Sequence, residues 1–181
     1  NVGGLIASTL DMTPSDFMNG NYIFNEVLGA EGAVINSGII NAALGGSNTG
    51  GNVALIGKQV KNDGLISANL GSVVLAAGKQ SILTFDNQGL IGVTVTKEVL
   101  QSELGLEAAV TNSGEIKAEV GRVLLTASTS QDVFSQAVNN VALDQATSVV
   151  VNADGSFTLG GGADVVNTGS IDVSSQFNES N

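Results

Sequence analysis

Side-chain chemistry needs convergent reactive groups, and this sequence offers few. It has no His and no Cys, which excludes imidazole and thiolate metal centres, thiol nucleophiles, disulfides, Ser-His-Asp triads and any cysteine-dependent partner. Carboxylate chemistry remains. Glu115 and Glu119 flank Lys117, and Arg122 is the sole arginine. A pair of acids beside a cation is the equipment of a polysaccharide hydrolase or lyase, provided both carboxylates converge on one groove. On a strand, however, Glu115, Lys117 and Glu119 share one outward face, and a solvated face with one ion pair accounts for them without catalysis. Gly160-Gly-Gly-Ala-Asp164 has the look of a calcium-binding nonapeptide, but it is a single copy without the tandem array such a site needs, so it reads as a turn. No cofactor and no metal is expected.

The residues that do recur at regular spacing are Asn and Gly. Val34-Ile-Asn36-Ser-Gly38-Ile-Ile40 returns as Val60-Lys-Asn62-Asp-Gly64-Leu-Ile66, as Val110-Thr-Asn112-Ser-Gly114-Glu-Ile116 and as Val165-Val-Asn167-Thr-Gly169-Ser-Ile171. Phe85-Asp-Asn87-Gln-Gly89-Leu-Ile91 is a weaker copy, and Val138-Asn-Asn140-Val-Ala142 a degenerate one without the Gly. The aligned Asn residues stand 26, 25, 25, 28 and 27 apart, a period that means stacked structural repeats. Stacked Asn amides would form a ladder at one corner, each satisfying backbone groups of its turn. An Asn row that binds a ligand is the competing use.

These positions require particular elements around them. Apolar residues at every second position put one face of a short strand inward. Asn and Gly two residues apart then end the strand, both being tolerant of left-handed backbone. A second strand follows, and a third begins after another Gly, as in Gly71-Ser-Val73-Val-Leu75 and Gly121-Arg-Val123-Leu-Leu125. Val73 and Val123 both lie eleven residues after their Asn. The first copy carries six extra residues, absorbed by Gly45–Gly51. Three strands and three turns in about 25 residues describe one coil of a right-handed parallel β-helix, and the chain would hold about seven. An antiparallel sandwich is the alternative, disfavoured by the constant period. The expected fold is therefore all-β, with short helical or hairpin decorations. Thr13-Pro14-Ser15-Asp16 opens a short helix that Gly20 ends; residues 130–138 and, less clearly, 97–105 are further helical segments.

Composition agrees with this. Of 181 residues 24 are Gly, 43% are apolar and only 4% aromatic, which suits narrow aliphatic coils with frequent corners. The net charge of −11 is repelled by phosphate, so no nucleic-acid partner is expected. The N-terminus, Asn1-Val2-Gly3-Gly4, has no signal-peptide pattern and reads as the interior of a strand, so the chain is expected to be a fragment or a mature product.

Gly4-Leu-Ile-Ala-Ser-Thr9-Leu10, Phe17, Gly20-Asn21-Tyr22-Ile23-Phe24, Gly51-Asn-Val53-Ala-Leu55-Ile-Gly-Lys-Gln-Val60-Lys-Asn62-Asp-Gly64 and Gly71-Ser-Val73-Val-Leu75-Ala-Ala-Gly78 together resemble the secretion domain of two-partner-secretion exoproteins, the filamentous-haemagglutinin-type adhesins, haemolysins and contact-dependent inhibition toxins. The resemblance thins after Gly92, returns at Val110–Leu125 and Val165–Val173, and covers most of the chain. It implies a β-helical domain, here residues 1–181, recognised in the periplasm by the POTRA domains of an outer-membrane barrel transporter, exported unfolded, and nucleating β-helix folding at the cell surface or in the medium. Receptors on host or bacterial cells would be bound by downstream regions. The family's domain starts earlier, with a cap and two Asn-Pro-Asn motifs that this chain lacks, so no transporter-contact residue is carried over. The label of haemagglutination attached to such domains implies glycan binding as an alternative, for which Tyr22 and a few Phe are the available aromatics.

Overall fold

The computed structural model describes residues 3–29, 32–42, 51–68, 70–85, 91–97, 109–118, 121–127, 139–140, 143–144, 148–151, 157–160 and 165–173. The chain opens with β1 (Leu5–Ser8), a five-residue helix α1 (Pro14–Met18) and β2 (Ile23–Asn25). The helix is built as its sequence dictates: Thr13 Oγ1 accepts from the Asp16 N–H, Pro14 occupies the first turn, and Gly20 follows at φ 72°.

A three-strand circuit then begins. It runs through β3 (Ala33–Asn36), β4 (Ile39–Asn41) and β5 (Val53–Gly57), and repeats as β6 (Gln59–Asn62), β7 (Leu65–Ser67) and β8 (Ser72–Ala77). After an antiparallel detour through β9 (Gln80–Phe85) and β10 (Ile91–Lys97), it repeats once more as β11 (Val110–Asn112), β12 (Glu115–Lys117) and β13 (Arg122–Ala127). Equivalent strands pair in parallel, giving three sheets: β1-β5-β8-β13, β3-β6-β11 and β4-β7-β12. The pairing aligns repeat with repeat, Val34 with Val60 and Val110, Ile40 with Ile66 and Ile116, Val53 with Val73 and Val123. All these side chains join one enclosed apolar cluster with Leu55, Leu75 and Leu125. Each such burial contributes about 1.5–3 kcal/mol of transfer energy.

The detour explains a contrast between strands. β9 and β10 form a hairpin that pairs with β2, and this three-stranded antiparallel sheet lies over the outer side of β5 and β8. Ala54, Ile56, Val74 and Ala76 are buried there with Leu83, Ile91, Val93 and Phe24. Strands covered on both faces read as continuous apolar runs, and β5 and β8 do. In β13 the burial alternates residue by residue.

Two expectations are corrected here. The copy around Asn87 and Gly89 adds no rung between Asn62 and Asn112, which pair directly; Asn87 and Gly89 themselves lie outside the described residues, and the flanking Phe85 and Ile91 pair antiparallel. The 50-residue separation is one circuit plus an inserted hairpin, because a tight antiparallel connection needs few residues whereas a parallel crossover needs many. Nor does the stack follow chain order past Ala127. β16 (Ser148–Val151) pairs antiparallel with β13 and β17 (Phe157–Gly160), while β18 (Val165–Asn167) and β19 (Ser170–Asp172) stack on β11 and β12. β14 (Asn139–Asn140) lies beyond β18 and pairs antiparallel with β15 (Leu143–Asp144). Among the described residues, parallel pairing thus links Asn36, Asn62, Asn112, Asn167 and Asn140 in that order, not in the sequence order expected of seven successive coils. The helix expected over 130–138 lies outside the described residues. Of 97–105 only Lys97 is described, as the end of β10.

Candidate functional site

The corner between the second and third sheets is where the repeated residues meet. Asn36 Nδ2 donates to Asn62 Oδ1 at 2.7 Å, and Asn62 Nδ2 donates to Asn112 Oδ1 at 2.7 Å. Asn62 and Asn112 are 0% exposed and Asn36 9%. Burying three primary amides is tolerable only because each is paired. The main chain repeats the arrangement one step further. The Asn36 carbonyl accepts the N–H groups of Asp63 and Gly64, the Asn62 carbonyl those of Ser113 and Gly114, and the Asn112 carbonyl those of Thr168 and Gly169. Gly38, Gly64 and Gly114 carbonyls accept from Leu65, Glu115 and Ser170. Asn140 and Asn167 continue the column by backbone register.

The Gly residues of this column serve closeness, not handedness. Among the described residues, positive φ occurs only at Gly20, Gly29 and Leu70, so the expected left-handed corner is corrected. A Cβ on Gly64 would overlap the Gly38 carbonyl oxygen; on Gly114 it would meet that of Gly64, and on Gly169 that of Gly114. Stacked turns approach too nearly for any side chain between them. A second column repeats this at the third strand's entry, where Gly121 lies against the Gly71 carbonyl.

Charged groups sit outside the column in separate clusters. Lys61 Nζ is 2.8 Å from Asp63, whose other oxygen accepts from Ser113 Oγ at 2.5 Å. The Lys61 contact and then the Ser113 hydroxyl hold the Asp63 carboxyl below its usual range. Glu115 and Lys117 pair at 3.1 Å with side chains 45% and 40% exposed, the solvated arrangement anticipated from strand alternation; Glu119 lies outside the described residues. Arg122 is on a different sheet and donates to the Ile91 carbonyl at 2.7 Å, tying β13 to the hairpin. The described members of the candidate acid–base set therefore do not share a groove. Among the described residues no cluster of acidic side chains is placed to hold a metal ion; residues 161–164 of the calcium-like turn lie outside them.

Sequence reasoning missed Glu26. Its carboxylate meets Lys58 at 2.6 Å and Lys79 at 3.9 Å, fastening the end of β2 to the turns after β5 and β8. The Lys58 hydrogen bond outweighs partial burial and holds the Glu26 carboxyl below its usual range. No local pattern marks it, since the three residues come from three turns. Tyr22 packs edge-on between Phe17 and Phe85, at centroid distances of 6.4 and 5.4 Å, and both flanking Phe rings are exposed. A scan against protein-family models found no match, and a search of curated proteins found no similar sequence.

Proposed function

We propose that the chain is a right-handed parallel β-helix that serves as the secretion and folding scaffold of a large exoprotein of a Gram-negative bacterium, an adhesin or contact-dependent toxin. A partner outer-membrane barrel recognises it through POTRA domains, and it folds outside the cell, with no catalytic role. The observation that supports this most is the repeating three-sheet circuit closed by the Asn–Gly column. The parallel pairing and the Asn–Gly contacts of each rung are made to adjacent rungs, which supports a chain delivered in extended form folding rung upon rung. A cysteine-free sequence forms no disulfide before threading. The proposal is tested by titrating the domain, joined to the cap that the resembling family carries, with the POTRA domains of the adjacently encoded barrel. Saturable binding is expected; its absence at any soluble concentration would end the export reading.

A second reading, carbohydrate binding, has one observation in its favour: exposed Phe17 and Phe85 flank Tyr22 on one surface. A glycan array probed with the wild type and with Tyr22→Ala decides it, and signal common to both removes the aromatic cluster from consideration.

A further inference from the structure

The helix α1 ends in the sequence's one Asn-Gly pair, Asn19-Gly20. Both residues are exposed, and a Cβ on Gly20 would meet nothing within 4 Å. With no β-carbon in the way, the Gly20 main-chain nitrogen can reach the Asn19 side-chain carbonyl carbon. The asparagines of the column lack this arrangement. Asn36, Asn62 and Asn112 precede Ser, Asp and Ser and are buried among one another.

The helix restrains the reaction. Asn19 caps α1 at φ −89° and ψ 0°, which eclipses the Gly20 nitrogen with the Asn19 nitrogen and turns it away from the side chain. The Gly20 N–H donates to the Phe17 carbonyl at 3.1 Å, the Asn21 N–H to that of Asp16 at 2.9 Å, and Asn19 Nδ2 to Ser15 Oγ at 3.4 Å. Ring closure requires these bonds to break. The barrier is low, because α1 has five residues, none of them buried, and is held at its start by the Thr13 cap.

We propose that Asn19-Gly20 is a site of spontaneous covalent modification, gated by the unwinding of α1. The Gly20 nitrogen bonds to Asn19 Cγ, the Cγ–Nδ2 bond breaks, and Nδ2 leaves as ammonia with the Gly20 N–H proton. Solvent water then opens the five-membered imide at either carbonyl, giving aspartate or isoaspartate. Either product sets a carboxylate at the C-terminus of α1, one turn from Asp16, where the helix dipole and the like charge both disfavour it. The modified α1 stays unwound, and Phe17 leaves its edge contact with Tyr22. The result is an irreversible change of the exposed aromatic surface, independent of export.

The full chain is incubated at neutral pH and followed by peptide mapping with mass spectrometry, which reads the amide-to-acid mass gain at each asparagine. Conversion at Asn19 is expected to outpace every other asparagine, yet to run about tenfold slower than in an end-blocked Phe17–Tyr22 peptide. Thr13→Ala, which removes the cap, should raise the rate about fivefold. Tyr22 is the sole Tyr and Trp is absent, so tyrosine fluorescence should change in step with conversion, and Asn19→Asp should reproduce that change. Four results would overturn the inference: another asparagine converting faster, a rate equal to the peptide's, a rate untouched by Thr13→Ala, or fluorescence indifferent to conversion.

Discussion

At the scale of single residues, identical letters in the repeat do different amounts of work, and position in the stack decides how much. Gly64→Ala forces a methyl into the Gly38 carbonyl and should destabilise the fold by about 1–3 kcal/mol. Gly38→Ala meets no atom and should shift the urea midpoint little. Asn62→Ala strands a donor on Asn36 and an acceptor on Asn112, both buried, for an expected loss of about 2–4 kcal/mol. Equal midpoints for Asn62→Ala and the exposed Lys61→Ala would contradict the amide column. Leu70 is the one non-glycine described at positive φ, 62°, and its side chain is 44% exposed. Leu70→Asn should therefore raise stability by about 1 kcal/mol in the same denaturation series. The column itself could be read from the sequence, because a ladder needs the same residue at the same phase and the repeat displays it. The reason for Gly could not, since φ tolerance and close approach call for the same residue, and only coordinates separate them.

At the scale of elements, the hairpin over β5 and β8 is the chief departure from a simple repeat. Phe85-Asp-Asn87-Gln-Gly89 carries the corner motif's letters although its end Phe85 belongs to an antiparallel strand, and Asn and Gly are favoured in hairpin turns and corners alike. The sequence did carry a signal of the cover, in the unbroken apolar runs 53–56 and 73–77 beside the alternation of 122–127. Leu83→Ala should cost about 2–4 kcal/mol, near an internal rung substitution, if the cover is integral. Increased binding of an apolar dye without loss of the parallel rungs would show instead that the hairpin opens alone. Glu26 fastens this cover by its pairs with Lys58 and Lys79. Its folded pKa is depressed, so its contribution is present above the ordinary carboxylate range near ~4.3 and is lost as pH falls through the lower folded value. Denaturation midpoints of wild type and Glu26→Gln should differ at pH 7 and converge in acid; a gap that persists at low pH would show that the ion pairs do not stabilise the native state.

At the scale of the whole molecule, stability should be graded along the stack. The amides of Gly64, Leu65, Gly114 and Glu115 donate between rungs, whereas among the described residues the Gly38 N–H donates to its local side-chain acceptor, Asn36 Oδ1. Amide exchange should be slower at the former by an order of magnitude or more, and uniform exchange across the rungs would mean that the domain opens only as one unit. The parallel, all-β character of the molecule was readable because its period is written in the sequence. The order of the rungs after Ala127 was not, since antiparallel strands carry no mark of which neighbour they will choose.

The amide column also has a sense of direction. Every described link runs from Nδ2 of the earlier Asn to Oδ1 of the later one, so the amide dipoles add along the axis, and hydrogen-bonded chains of this kind polarise one another. Across the described links the column therefore turns its amide oxygens toward the Asn36 side and its amide nitrogens toward the Asn112 side, whatever the surface charge of −11 contributes. A neutral internal axis has been given a head and a tail, and reversing it would require turning every amide in the column at once.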